Sequence, residues 1–135
     1  MIYLDSAATS LQKPPEVARA VVRAMQSCAS PGRGDHAAAM RAAETVFACR
    51  EEAAALFHMT QPENVVFTMN ATHALNIAVH SLVREEMRVA VSGFEHNAVM
   101  RPLYASGASI LTSDTPLFDS AALIDWFERH LPECD

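Results

Sequence analysis

The chain has 135 residues, half of them hydrophobic, with only 7 prolines and 4 glycines, which is enough apolar material for one packed core of ordinary size. A formal charge of -6 leaves no basic stripe to neutralise a phosphate backbone or an anionic membrane, so neither nucleic acid nor membrane is an expected partner. No apolar run approaches the about 20 residues needed to cross a bilayer, and Met1-Ile2-Tyr3-Leu4-Asp5 has no signal-type character, so a cytoplasmic protein is expected.

After a short extended start, Pro14-Pro15-Glu16 supplies the fixed φ and early negative charge of a helix N-terminus, and Val17, Val21, Ala24, Met25 and Cys28 recur at helical spacing. Ser30-Pro31-Gly32-Arg33-Gly34 breaks that pattern. A longer helix is predicted from about His36 to Phe57, with Met40, Ala43, Phe47, Ala54 and Phe57 as its inner side. Val65-Val66-Phe67 reads as a strand, feeding a helix striped by Ala71, Ala74, Leu75, Ala78, Val79, Leu82 and Val83. Arg88 to Ser92 reads as a second strand, Ala98 to Tyr104 as a short helix and Ala108 to Leu111 as a third strand. A last helix, Asp119 to Leu131, presents Leu123, Trp126, Phe127 and Leu131.

This order predicts an α/β fold: N-terminal helices, then right-handed βαβ units with a small, mainly parallel sheet. One partial domain is expected over 1–135, its extended segment and helices over 1–62 and the start of the α/β part over 63–135. Three short strands are narrow for a parallel sheet, which normally has both faces covered and extends further. Cys28, Cys49 and Cys134 form no CxxC pair and lack the spacing of a zinc site, so no metal is expected and reduced thiols are. Cys28 and Cys49 lie in alanine-rich helical stretches and are expected to be buried.

Ligands of open parallel sheets bind beyond the carboxyl ends of the strands, which directs attention to two turns. Thr68-Met69-Asn70-Ala71-Thr72 opens the helix carrying Ala74, and free amides at a helix start with a threonine hydroxyl suit a phosphate. Ser92-Gly93-Phe94-Glu95-His96-Asn97 follows the second strand, and an imidazole there can stack on a planar heteroaromatic ring and exchange protons near neutral pH. Each residue also has a plain structural alternative. Threonine is a routine N-cap, and a histidine before a helix is often a surface or capping residue.

Taken together, these segments resemble the class V aminotransferases and cysteine desulfurases. Tyr3-Leu4-Asp5-Ser6-Ala7-Ala8-Thr9-Ser10 resembles the family's opening, usually with asparagine at the position of Ser6. Pro31-Gly32-Arg33-Gly34-Asp35-His36 resembles its glycine-containing segment before the long helix. Val65 to Asn76 is similar to its phosphate-binding strand and turn, and Glu95-His96-Asn97-Ala98-Val99 to its cofactor-stacking histidine motif. His73 departs from the pattern, where the family usually has glutamate.

The resemblance implies part of the large domain of a fold type I transferase with a pyridoxal 5'-phosphate site. Ala71 and Thr72 would hold the phosphate, and His96 would lie over the pyridine ring as the catalytic residue for proton transfer. Arg33 and His36 are candidates for facing a small, cysteine-like amino-acid substrate, and equally for solvated loop residues.

Enzymes of this kind need a lysine to anchor the cofactor, and the sole lysine, Lys13, lies beside Pro14-Pro15, far from the strand-end turns. In the family the anchoring lysine, the aspartate on the pyridine nitrogen and the sulfur-accepting cysteine come later than this sequence reaches. The chain is therefore expected to be an amino-terminal fragment, catalytically incomplete and with weak or no cofactor binding alone. The alternatives are half of a split enzyme, or a non-catalytic phosphate-binding or interaction module. Apolar surface left without later strands implies association, as a homodimer or otherwise.

Overall fold

In the computed structural model, which describes residues 2–135, the chain falls into two units, Met1–Val66 and Phe67–Asp135. Among the described residues, the first holds two α-helices and a 3-10 turn at Pro62–Asn64. Proline at its first turn opens α1 (Pro15–Ser27), where Glu16 pairs with Arg19, and the helix closes with the Cys28 amide on the Ala24 carbonyl at 2.9 Å. His36 begins α2 (Ala37–Leu56), accepting the Ala39 amide on its ring at 3.3 Å. The Ala29 amide reaches the Ala38 carbonyl at 3.0 Å and Arg41 Nε reaches the Ser27 carbonyl at 3.2 Å, which ties the two helices at their junction.

The covered side of α2 agrees with the predicted one at Ala54, which is buried, and departs from it elsewhere: Met40, Phe47 and Phe57 are exposed, whereas Ala39 and Ala42 are buried. Alanine's single methyl lets another backbone approach closely, so this unit covers its smallest apolar side chains and leaves the largest in solvent. None of the α1 residues is buried. Cys49, predicted as a buried small residue, is exposed, while Cys28 is half-buried.

The second unit begins with α3 (Ala71–Leu82) and continues as β1 (Arg88–Val91), α4 (Asn97–Ser106) and β2 (Ser109–Thr112). β1 and β2 pair in parallel, with Arg88 opposite Ser109 and Val91 opposite Thr112, and α4 is the crossover between them. Helix α3 packs on α4. Val91, Ala98 and Leu103 form the apolar interior of this βαβ unit, and Gly107, at φ 79°, ends α4 in the left-handed conformation that favours glycine.

Asp119 caps α5 (Ser120–His130), which buries Trp126 to 6% exposure between an edge-on Phe127 and a stacked His130. The chain then returns to β1. The Asp135 amide donates to the Arg88 carbonyl at 3.1 Å, the Arg88 amide donates to Asp135 Oδ2 at 2.9 Å, and the Arg88 guanidinium pairs with Glu133 at 2.8 Å.

The sheet has two strands rather than the expected three. Val65-Val66-Phe67 is not a strand, although Val65 is extended, because a strand exists only through a ladder and these residues form none. Val66 is 74% exposed. Among the described residues, no helix is long and apolar enough to cross a membrane, no group of His, Cys, Asp and Glu is arranged to hold a metal ion, and the three cysteines are unbridged.

Candidate functional site

Asn70 decides where α3 begins. Its side-chain oxygen accepts the His73 amide at 2.9 Å, and the Thr68 hydroxyl donates to the Asn70 carbonyl at 2.9 Å, so the turn is fixed from both sides. The amides of Ala71 and Thr72 come before the first possible intrahelical acceptor, and Asn70 has already taken the third. Thr72 is anchored from below by Asn76, whose side-chain amide donates to the Thr72 carbonyl at 2.8 Å.

The second turn leaves β1. Glu95 Oε1 accepts both the Ser92 hydroxyl, at 2.7 Å, and the Ser92 amide, at 3.3 Å, folding residues 92–95 back on the strand end. Gly93, at φ 85°, lies against β2's end: a Cβ there would stand 2.6 Å from the Ser113 carbonyl oxygen. This closure delivers His96 to the N-cap of α4, where its Nδ1 accepts the Ala98 amide at 3.1 Å. Because Nδ1 is an acceptor, the neutral ring carries its proton on Nε2.

Thr72 and His96 line one cleft of about 360 Å³, between the opening turns of α3 and α4 and beyond the carboxyl end of β1. Asn76, Asn97 and Arg101 share its wall, and the buried Ala98 and Pro102 back it. The wall contains no carboxylate. Sequence reasoning missed Asn76, Asn97 and Arg101. The signal was helical spacing, since Asn76 stands one turn beyond Thr72 and Arg101 one turn beyond Asn97.

Ala71 is the first residue of α3, beside the cleft rather than in its lining. Arg33 and His36 belong to the Met1–Val66 unit; Arg33 lies exposed in the glycine-containing turn and the His36 ring is engaged as the cap of α2. Lys13 belongs to that unit too, its ammonium donating to the Ser10 carbonyl at 2.7 Å.

The donor set suits the phosphate end of pyridoxal phosphate: two backbone amides at a helix start, a hydroxyl, no acid in the wall, and an imidazole on the adjoining turn. It offers no amine, so the fit extends to the phosphate and one face of the ring and not to a covalent anchor.

Comparison with known proteins bears on the same segments. The sequence model of the family described as Aminotransferase class-V matches residues 2–109. A protein described as a probable cysteine desulfurase from Vibrio cholerae serotype O1 is 34% identical over 107 residues, covering 76% of this chain and 26% of that protein. A probable cysteine desulfurase from Synechocystis is 30% identical over 107 residues, covering 76% of this chain and 25% of the relative. Cysteine desulfurase IscS of Vibrio cholerae serotype O1 (strain M66-2) is 33% identical over 134 residues, covering 92% of this chain and 32% of that enzyme. The chain thus spans about a quarter to a third of the length of these relatives. No solved structure matches it significantly. With the family's sequence model running through both turns that form the cleft, the chain belongs to the class V aminotransferase family.

Proposed function

We propose that this chain forms the phosphate-binding and ring-covering part of a pyridoxal-phosphate site, in an enzyme of cysteine desulfurase type whose complete form releases sulfur from cysteine. The observation that carries the reading is that Thr72 and His96, on separate turns, line one cleft without a carboxylate. When bound, pyridoxal phosphate supplies an electron sink for chemistry at an amino-acid Cα. The amides of Ala71 and Thr72 and the Thr72 hydroxyl hold the phosphate. His96 covers the ring, held in place by its bond to the Ala98 amide, and keeps a proton on Nε2. Within its own unit, Arg33 is exposed and presents a guanidinium suited to a carboxylate, three residues before His36, whose ring caps α2.

The anchoring amine comes, in this reading, from polypeptide outside these 135 residues, in the same protein or in a second chain, and the protein works as a cytoplasmic homodimer. A second reading, a phosphate-binding module without catalysis, is favoured by the lone Lys13 and its engagement with Ser10. Calorimetric titration of the chain with pyridoxal phosphate tests the site. Thr72→Ala and His96→Ala are each expected to weaken binding about tenfold, the scale of losing one charge-assisted or stacking contact. Equal affinity in wild type and both variants would refute the assignment.

A further inference from the structure

Arg101 is the cation of the cleft that no known role absorbs. It stands one turn into α4, on the wall that also carries His96 and Thr72. The Phe67–Asp135 unit has four arginines, Arg84, Arg88, Arg101 and Arg129. Three have their side chains engaged: Arg84 on the Ser81 carbonyl at 3.0 Å, Arg88 on Glu133 at 2.8 Å and Arg129 on the Asp125 carbonyl at 3.1 Å. Among the described residues, the Arg101 guanidinium has no such partner.

The surroundings do not neutralise it either. Acids outnumber bases 16 to 10 in this chain, yet none lines this wall. Glu95, adjacent to His96 in sequence, keeps its charge but turns its carboxylate to Ser92 and, among the described residues, forms no ion pair with Arg101. A cleft bounded by an unpaired guanidinium, by the free Ala71 and Thr72 amides that begin α3 and by the Asn97 amide that begins α4 has a local field that favours anions. The guanidinium fork, with its parallel donors, matches the oxygens of a phosphate better than an ammonium would.

We propose that Arg101 is a phosphate-monoester-binding residue of this cleft, closing on the anion that the α3 turn receives. The inference rests on the site reading above and adds a residue to it. An amino-acid carboxylate carries the same kind of charge, so the test separates the two. Arg101→Gln and Arg101→Lys, both exposed changes on a helix, are compared with wild type for binding of pyridoxal phosphate, pyridoxal, inorganic phosphate and L-alanine, with far-UV circular dichroism as the check on folding.

The expected result is that Arg101→Gln weakens pyridoxal phosphate and inorganic phosphate by about ten- to a hundredfold, leaves pyridoxal unchanged, and is partly rescued by Arg101→Lys. Unchanged phosphate affinity in Arg101→Gln overturns the proposal, as does a loss confined to L-alanine. Should inorganic phosphate bind in an Arg101-dependent way while pyridoxal phosphate binds no better, the inference stands and the cofactor reading falls. Should pyridoxal phosphate depend on Thr72 and His96 but not on Arg101, the cofactor reading stands and the inference falls.

Discussion

Gly93 and Ser113 meet where the two strands end: a Cβ on Gly93 would lie 2.6 Å from the Ser113 carbonyl oxygen, while the Ser113 amide donates to Val91 at 2.9 Å. The turn that carries His96 is therefore seated on the neighbouring strand rather than hung in solvent. That seating couples the integrity of the sheet to the position of the imidazole.

Gly93→Ala is expected to cost about 2 kcal/mol or more, from the positive φ and from a clash with backbone that cannot move aside cheaply. Urea unfolding followed by circular dichroism measures it, and the same variant should weaken pyridoxal phosphate binding although Gly93 is absent from the cleft wall. Wild-type stability in this variant would contradict the close approach.

Trp126 is the largest buried side chain of its unit, and Trp126→Ala is expected to cost about 3–5 kcal/mol. A loss that large is a sizeable part of the stability of a small domain, so a fraction of the variant should be unfolded without denaturant. A shift of less than about 1 kcal/mol would mean that the stack on His130 and the edge contact with Phe127 contribute little.

Val17, Val21 and Met25 form an apolar stripe on α1 that is 44%, 53% and 80% exposed. Such a stripe associates in water, so sedimentation is expected to show a mass that rises with concentration. Val21→Ser combined with Met25→Ser should raise the monomer fraction. A wild-type chain that stays monomeric at high concentration would contradict the expectation.

Lys13 is held at the Ser10 carbonyl in the first unit. Borohydride reduction of the chain with pyridoxal phosphate, followed by peptide mass spectrometry, is expected to give no preferential adduct at Lys13 beyond that of a denatured control. A stoichiometric adduct there, lost in Lys13→Ala, would show that the chain carries its own anchor.

Much of this architecture was legible because its signals are local. Pro15 and Glu16 mark the start of α1, and the β-branched Val89 and Val91 and the run Ile110-Leu111 fall in the two real strands. Val65-Val66-Phe67 carries the same local signal and still forms no ladder, since pairing depends on a partner that composition cannot supply. The covered face of α2 was legible only at Ala54: in a helix this rich in alanine, spacing alone does not separate Ala39 and Ala42, which are buried, from Met40 and Phe47, which are exposed. At the cleft, the sequence pointed to Thr72 and His96 through their turns, but Arg101 enters only by helical spacing from a start, Asn97, that the predicted boundary at Ala98 set one residue late.

The central claim is that a phosphate-bearing pyridine binds between the opening turns of α3 and α4. Backbone amide NMR shifts during titration with pyridoxal phosphate test it most directly. Saturable shifts are predicted for Ala71, Thr72, His96 and Asn97, which all lie at those turns. Saturable shifts confined to other residues, or none at all, would contradict it.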